Sequence, residues 1–498
     1  MFGGTANNCT FTSNSTYNTQ YVNGNGGGMF GGTANNCTFN YNYAPYQGGG
    51  AYGINNTPMM PCTFTGNAAG YQGGGEYGSN VTGCTFTGNS SPNGGGAYGG
   101  TATLCVFTGN SLTMNNAVGA GMSSGTANYC TFYNNSITGT NGNGAGMYGG
   151  FANNSTFVDN LVTNGNGGGM VGGGANSCAF IGNSASVNGG GLNGGAATDC
   201  SFLSNTARYG GGTCSASLYF CTVYKNTALT SGGGVYLSKG TITNSILWAN
   251  TAPTGPNLYD DGSSGAGAVT YSDVQGGTIS NGNIASDPKF VKSATGNLHL
   301  TANSPCVNVA TTTAPSGFTL PTTDCDNGKR FFGVAPDMGA YEYGGSTITG
   351  TITFAGIASN SLPQLVTFQF RPTDNTASTN QTYFTTSDGA FYLNNVPNGS
   401  YTMWAKAPIY LASVVSVTIL GKTSGLTTTL EPGDSNNDNS VDPGDFGTFV
   451  SAYGSVYVPG IPNSASGYDP TADYNGDGSV DPTDFGLLVG NYNTQGAP

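Results

Sequence analysis

The sequence predicts a mainly β chain: a parallel β-helix over residues 1–345, closed by a cap over 251–345, then a β-sandwich over 346–431 and a small acidic helical module over 432–498. Three observations predict it. A Gly-rich unit with a Cys-x-Phe-x-x-Asn centre recurs through the first half, the Gly runs give way to alternating strands after residue 345, and a twelve-residue Asp pattern occurs twice near the C-terminus.

Composition already narrows the classes of function. Of 498 residues 86 are Gly and only 7% are charged, against about 25% in ordinary globular domains. Such a chain would read as disordered if it were poor in aromatics, but 29 Tyr and 25 Phe require a folded interior to bury them. The net charge of −13 is concentrated, with nine Asp and no Lys or Arg in residues 432–498. Ten basic residues without a cluster exclude a nucleic-acid partner. No apolar run approaches the ~20 residues of a membrane span. No export signal is present in this chain, although the modules below predict an extracellular or cell-surface location. Residues 1–11 recur letter for letter at 29–39, so the chain begins in mid-repeat, and either upstream coils and an export signal precede Met1 or an uncapped end docks on another molecule.

The repeat explains the first half. Cys stands at 9, 37, 62, 84, 105, 130, 178, 200 and 221, and Ser155 fills the one long gap. Each unit carries Phe-x-x-Asn, from Phe11/Asn14 to Phe202/Asn205, continued by Val223/Asn226 and Leu247/Asn250. Cys and Phe are two residues apart, the strand period, so both face inward while Thr10 and Thr12 face outward. A unit of this length with two short strands cannot enclose a core alone; stacked as coils, each completes its neighbours' hydrogen bonds. The stack predicts ladders of Phe, of Cys and of Asn, the last placed at left-handed turns. The Gly triplets serve positive φ and close backbone approach. One Cys per coil is packing, since a line of thiols is not a tetrahedral metal site.

These Gly-Gly-Gly and Phe-x-x-Asn units resemble the repeats of polymorphic outer-membrane proteins and related bacterial surface proteins, which implies a right-handed β-helix. Residues 304–343, reading S-P-C-V-N-V-A, D-C-D-N-G-K-R and D-M-G-A-Y-E-Y, resemble the closing segment of anchored extracellular β-helix proteins. Cys306 and Cys325 lie there, off the ladder, and a disulfide between them is expected of a secreted chain. Cys214 is off register and has no assigned role.

Between 346 and 431, strands such as Thr351–Phe354 and Val366–Phe370 alternate, with turn chemistry at Asp388-Gly389 and Asn398-Gly399. The pattern resembles carboxypeptidase-regulatory-like and Cna-B-like domains, which implies an Ig-like β-sandwich serving as a spacer.

The strongest chemical signal is C-terminal. Asp434, Asn436, Asp438, Ser440, Asp442 and Asp445 fill positions 1, 3, 5, 7, 9 and 12 of a loop, and Asp473, Asn475, Asp477, Ser479, Asp481 and Asp484 repeat it 39 residues later. Hard oxygen donors at this EF-hand-like spacing wrap Ca²⁺, position 7 through its backbone carbonyl and position 12 through the closing carboxylate, so two calcium ions are expected. Position 6 needs a sharp turn, met by Gly478 and by Asn439. Each loop is followed by apolar residues at helical spacing, Phe446/Phe449/Val450/Tyr453 and Phe485/Leu488/Val489/Tyr492. The duplicated loop and helix, with Asp at position 12, resemble a type I dockerin. That resemblance implies a cohesin or similar surface-protein partner, bound near loop positions 10 and 11, here Pro443-Gly444 and Pro482-Thr483. Without metal the clustered carboxylates repel, and the module is expected to unfold in chelator.

Many β-helices cleave polysaccharides with paired carboxylates or with Ca²⁺ and a basic residue. Between residues 1 and 158 the only charged residue is Glu76. His299 sits in a Leu-His-Leu strand and reads as structural, and Asp260, Asp261 and Asp273 form the best remaining acidic group. The expectation is therefore a non-enzymatic structural or adhesive protein with a calcium-dependent C-terminal attachment module. Unfinished strand edges of the first coil predict end-to-end assembly into fibres. The alternative is a polysaccharide-binding or polysaccharide-degrading β-helix, lyase-like or hydrolase-like, carried by a dockerin, with rows of Tyr, Thr and Asn facing the polymer.

Overall fold

A computed structural model describes residues 1–498 except 18–23, 54–58, 264–267, 345–346, 358–363, 374–377, 386–388, 395, 397–398, 420–422 and 457–467. Asp388 and Asn398, each the first residue of an expected hairpin turn, lie outside the described residues. The chain divides into two units, residues 1–288 with 308–321 and 337–340, and residues 289–307 with 322–336 and 341–498. Segments of the expected cap are thus shared between the two units.

The first unit is a parallel β-solenoid. Among the described residues its strands form sheets of eleven, nine and twelve members, with a shorter six-stranded sheet beside the middle coils. One coil shows the plan: Met147–Tyr148, Phe151–Asn153 and Thr156–Val158 each join a different long sheet, and Leu161–Val162 joins the short one. The expectation of two strands per unit is corrected to three, with a fourth in the middle coils and a fifth, Gly142–Asn143 or Gly165–Asn166, in two of them. The extra strand is the Thr-Ala-Asn segment, whose Ala is buried while its flanking residues face outward, as in Thr126–Asn128. Left-handed residues mark the corners: Gly149 and Gly150, Asn154 and Asp159 in this coil have φ of 65°, 74°, 49° and 52°.

The Phe ladder is present and regular. Rings from Phe11 to Phe202 stack with centroids 4.7–4.8 Å apart and planes within 6°. Cys37, Cys62 and Cys84 are buried beside them, and each donates its backbone N–H to the next cysteine's Sγ at 3.2–3.4 Å. The Gly triplet is needed for coil-to-coil approach: a Cβ on Gly96 would lie 2.5 Å from Gly121 O and 2.8 Å from Phe107 Cδ1.

The Asn ladder is inside the solenoid, not at its left-handed turns. Asn135 donates its N–H and its amide Nδ2 to Asn160 Oδ1 at 3.1 and 2.9 Å, and Nδ2 also donates to Phe107 O at 2.8 Å. Its own Oδ1 accepts the same pair from Asn110. The positive φ belongs to the residue before, Asn134 at 51°, because the chain must reverse there to turn the next amide inward. Outward aromatics also stack on one another: Phe2, Phe30, Tyr52, Tyr77 and Tyr98 have centroids 5.0–5.3 Å apart and planes within 12°. Their faces are turned to each other, which leaves only edges and hydroxyls directed away from the stack.

Glu76 breaks the pattern. It stands at an interior position between Ala51 and Ala97, wholly buried. Its Oε1 accepts the Ser79 N–H, while Oε2 has no hydrogen-bond partner among the described residues. Burial pushes its carboxyl up to about 8.

In the second unit, strands Ala390–Asn394, Thr347–Phe354 and Thr423–Leu430 form one sheet, and Thr379–Phe384, Leu365–Pro372, Gly399–Lys406 and Ser413–Ile419 another. Phe368, Phe370, Phe391, Met403 and Ile419 are buried in one cluster, giving the sandwich its core. The cap residues counted with this unit hold a buried polar network. His299 Nε2 lies 2.6 Å from Asp326 Oδ2 and Nδ1 lies 2.8 Å from Asn297 Oδ1, with the residue 1% exposed. Asp324 accepts N–H groups of Asp326, Gly328 and Glu342 at 2.9–3.1 Å. In the cap Cys306 is buried and Cys325 half-buried.

Two outcomes test this architecture. Asn135→Ala orphans donors and an acceptor on both sides and is expected to cost on the order of 3 kcal/mol or more in urea unfolding of the solenoid. The half-exposed Asn153→Ala serves as control. For Glu76, the folded state favours the protonated form. Its contribution is therefore fully present below the ordinary value of 4.5 and is lost as pH rises to about 8. Relative to Glu76→Gln, the native chain is expected to lose stability by about 1.4 kcal/mol per pH unit through that window.

Candidate metal centre in the C-terminal module

Two short helices, α1 (Pro443–Ala452) and α2 (Pro482–Gly490), follow the two Asp-rich loops. Both begin the same way because both sequences read Asp-Pro-x-Asp. Pro has no N–H to lose at the first helical position, and the Asp before it caps the helix. Asp442 Oδ1 accepts the Gly444 N–H at 2.7 Å, while Asp445 Oδ2 accepts the Asp442 N–H at 2.8 Å. Asp481 and Asp484 repeat this with Thr483 and Asp481 at 2.7 and 3.0 Å.

The loops are wound by their own side chains. Asp445 Oδ1 accepts the Asn436 N–H at 3.2 Å, and Asp484 Oδ1 accepts that of Asn475 at 3.0 Å, drawing position 12 back to position 3. Asp434 Oδ2 accepts the Asn439 N–H at 3.0 Å, and Asp473 Oδ2 accepts the Gly478 N–H at 2.8 Å. Positions 4 and 6 are left-handed in both loops: Asn437 and Asn439 at φ 60° and 69°, Gly476 and Gly478 at 69° and 91°. Ser440 and Ser479 direct their N–H groups to Asp438 and Asp477, both at 2.9 Å.

The loops are tied crosswise. Val441 pairs with the chain after α2, through Val441 N–H to Thr494 O at 2.9 Å and Asn493 N–H to Val441 O at 2.8 Å. Val480 pairs with the chain after α1, through Gly454 N–H to Val480 O at 2.8 Å and Val480 N–H to Ser455 O at 2.9 Å. Val441, Phe449, Tyr474, Val480 and Leu488 are buried together between them.

The electrostatics call for a cation. Asp434, Asp445, Asp473 and Asp484 are at most 3% exposed. Burial and then neighbouring carboxylates push Asp438 up to about 6, Asp445 to about 7 and Asp484 to about 6. Asp434 Oδ1 is buried without a hydrogen-bond partner among the described residues. The chemistry of the donor set, a spare buried carboxylate oxygen amid hard donors, suits Ca²⁺, although among the described residues no three carboxylates are drawn together as a metal-holding group. Asp434, Asn436, Asp438, Ser440, Asp442 and Asp445 would hold one ion, and Asp473, Asn475, Asp477, Ser479, Asp481 and Asp484 a second.

Residues 432–492 match the dockerin type I domain family. No curated protein matches the chain. Among solved structures, similar chains include an N-terminal interface mutant of a type II cohesin–X-dockerin complex from Acetivibrio cellulolyticus, at 20% identity, over 30% of this chain and 97% of that one, with a TM-score of 0.25. A C-terminal interface mutant of that complex matches at 19% identity with the same coverage and a TM-score of 0.26. Pectate lyase Pel9A matches at 14% identity over 69% of this chain and 97% of that one, with a TM-score of 0.35. The expectation that this chain is not an enzyme is not kept, because it rested on composition alone. Sparse charge in the first coils was a poor guide, since a reaction centre needs few ionisable groups and Arg208, Lys225, Lys239, Asp260 and Asp261 all lie in later coils.

The dockerin helices bury less than their sequence pattern predicts. Phe449 and Leu488 turn inward, but Phe446, Val450, Tyr453, Phe485, Val489 and Tyr492 are 39–55% exposed. Pro443, Gly444, Pro482 and Thr483 are exposed on the first turns of the same helices. The acidic trio is not assembled: Asp260 and Asp261 are exposed, whereas Asp273 is buried on another sheet. Asp260 does edge a cavity of about 280 Å³ at the last coils, lined also by Leu258, Val269, Val274 and Asn283.

Two residues that touch the loops were missed by sequence reasoning. Tyr468 donates its hydroxyl to Asp473 Oδ2 at 2.6 Å, and Lys406 of the sandwich lies 2.7 Å from Asp434 Oδ2. Tyr468 is five residues from its partner and could have been suspected; Lys406 is 28 residues away in another fold and could not.

Asp484→Ala removes an acceptor for two backbone N–H groups as well as the closing carboxylate of the second loop. Calcium stoichiometry measured by titration calorimetry is expected to fall by one ion. The calcium-loaded module should also lose stability, by about 1–3 kcal/mol for the two orphaned N–H groups alone, read by thermal unfolding.

Proposed function

We propose that this chain is an extracellular, polysaccharide-directed β-solenoid whose dockerin, loaded with two calcium ions, attaches it to a cohesin. The observation that carries the reading is the duplicated loop and helix within the dockerin match: calcium would close each loop, and each closed loop sets one exposed helix face. Pro443 and Gly444 with Phe446, and Pro482 and Thr483 with Phe485, are the proposed contacts. Their repetition 39 residues apart gives two equivalent apolar surfaces, of the kind that anchors protein interfaces.

The solenoid is the cargo. Its surface is rich in uncharged hydrogen-bonding groups set one coil apart, such as the Asn128, Asn153 and Asn176 row, whose amides bond at 2.9 Å. Tyr52, Tyr77 and Tyr98 add a row of hydroxyl-bearing edges. Such rows suit the repeating hydroxyls of a polysaccharide, and the proposed action is binding or cleavage of that polymer.

Attachment is tested by calorimetry of the calcium-loaded chain against a cohesin panel. The paired Phe446→Ala and Phe485→Ala variant is expected to weaken binding roughly tenfold or more with unchanged circular dichroism. Cargo is tested by incubating the chain with neutral and acidic polysaccharides, polygalacturonate included, and following retention in affinity gels and new reducing or unsaturated ends. Retention or turnover of one polymer is expected; neither, across the panel, removes the polysaccharide reading.

A further inference from the structure

The two calcium loops carry the same donor residue types at all six ligand positions, yet their surroundings differ. Lys406 ends the sandwich strand Gly399–Lys406, and its ammonium, 11% exposed, lies 2.7 Å from Oδ2 of the fully buried Asp434. The same ammonium donates to Asn437 Oδ1 at 2.7 Å, to Ala407 O at 3.2 Å and to Tyr410 O. The sandwich side grips this loop further: Ala412 donates its N–H to Asn439 Oδ1 at 2.7 Å, and Ile409 pairs antiparallel with Asp434. At the second loop, Asp473 receives only neutral donors among the described residues, the Tyr468 hydroxyl and the N–H groups of Gly476, Asp477 and Gly478.

We propose that Lys406 is a resident cation of the first loop. It holds loop positions 1 and 4 in place when calcium is absent, and it makes the first loop the weaker calcium site, so that the second loop is the half that responds to calcium. This rests on the reading that both loops bind calcium. The physical argument is one of charge placement. In calcium-free protein the ammonium offsets one buried carboxylate and ties the Asp434 and Asn437 side chains to the carbonyls of Ala407 and Tyr410, and among the described residues the second loop has no such cation. An ion bound through Asp434 Oδ1 would share that carboxylate with the ammonium at Oδ2, and the repulsion between the two cations weakens binding roughly tenfold or more relative to the second loop. The expectation that the whole module unfolds in chelator is thereby narrowed to the second loop.

The test uses the full chain. Hydrogen exchange by mass spectrometry in calcium-free buffer is expected to show amides 436–441 protected over 475–480, and calcium titration against a competing chelator to show two affinities roughly tenfold or more apart. Asp484→Ala should leave the weaker site, and Lys406→Met should close the gap and abolish the protection of 436–441. Equal protection with equal affinities in the native chain, or a gap unchanged by Lys406→Met, overturns the proposal. Should Lys406→Met fail to fold, the native exchange pattern still decides. Two ions bound with equal affinity refute the role of Lys406 alone, whereas no calcium uptake at either loop refutes the calcium reading itself.

Discussion

A buried amide bonded to its own copy one coil away is the constraint on which the solenoid depends. Each ladder Asn takes both its backbone N–H and its side-chain donors to neighbouring coils, so no coil can shift by one residue without orphaning three partners at once. The register set by that amide fixes the rest. Phe rings three residues to one side meet at 4.7 Å, the cysteines fall into line, and the Gly triplets must stay bare because the next coil's carbonyls come within 2.8 Å of where a Cβ would stand. Where the Phe series turns to Val223 and Leu247, the amides of Asn226 and Asn250 continue unchanged, and Asn257 closes the row by donating to Gln275 O at 3.1 Å. The amide is thus more persistent than the ring.

The C-terminal module solves a different problem. Its buried carboxylates cannot all be charged without a counter-ion, and each Asp at position 12 is recruited twice, as loop closer and as helix cap. Metal binding and helix capping therefore draw on the same carboxylates. Because this small module buries only one side of each helix, the other side is left apolar and open, which is where a partner gains most from contact. The sandwich is more than a spacer to this module, since Lys406 and Ala412 reach the first loop directly.

Some of this was legible because it repeats. Cys-x-Phe-x-x-Asn at a spacing of one coil announces vertical stacking, and Asp at loop positions 1, 5, 9 and 12, twice, announces an oxygen cage. The third strand of each coil was missed because Thr-Ala-Asn is short and its inward residue is only a methyl group. The ladder amide was misplaced at the turn because Asn tolerates left-handed backbone, a preference here used by the residue before it. Composition could not decide between binding and catalysis for a related reason, since it averages over coils while a reaction centre needs only a few residues.

By itself the sequence determined the periodic part of this protein, which residues stack and which oxygens crowd each Asp-rich loop, because those properties follow from identical neighbours at fixed spacing. Only the tertiary structure decided what depends on meetings between unlike segments. It put Lys406 against Asp434, crossed each loop with the chain behind the other helix, buried Glu76 between two alanines and left six apolar helix residues in solvent. No local pattern encodes such contacts, since the partners lie tens of residues apart and each would be unremarked in isolation.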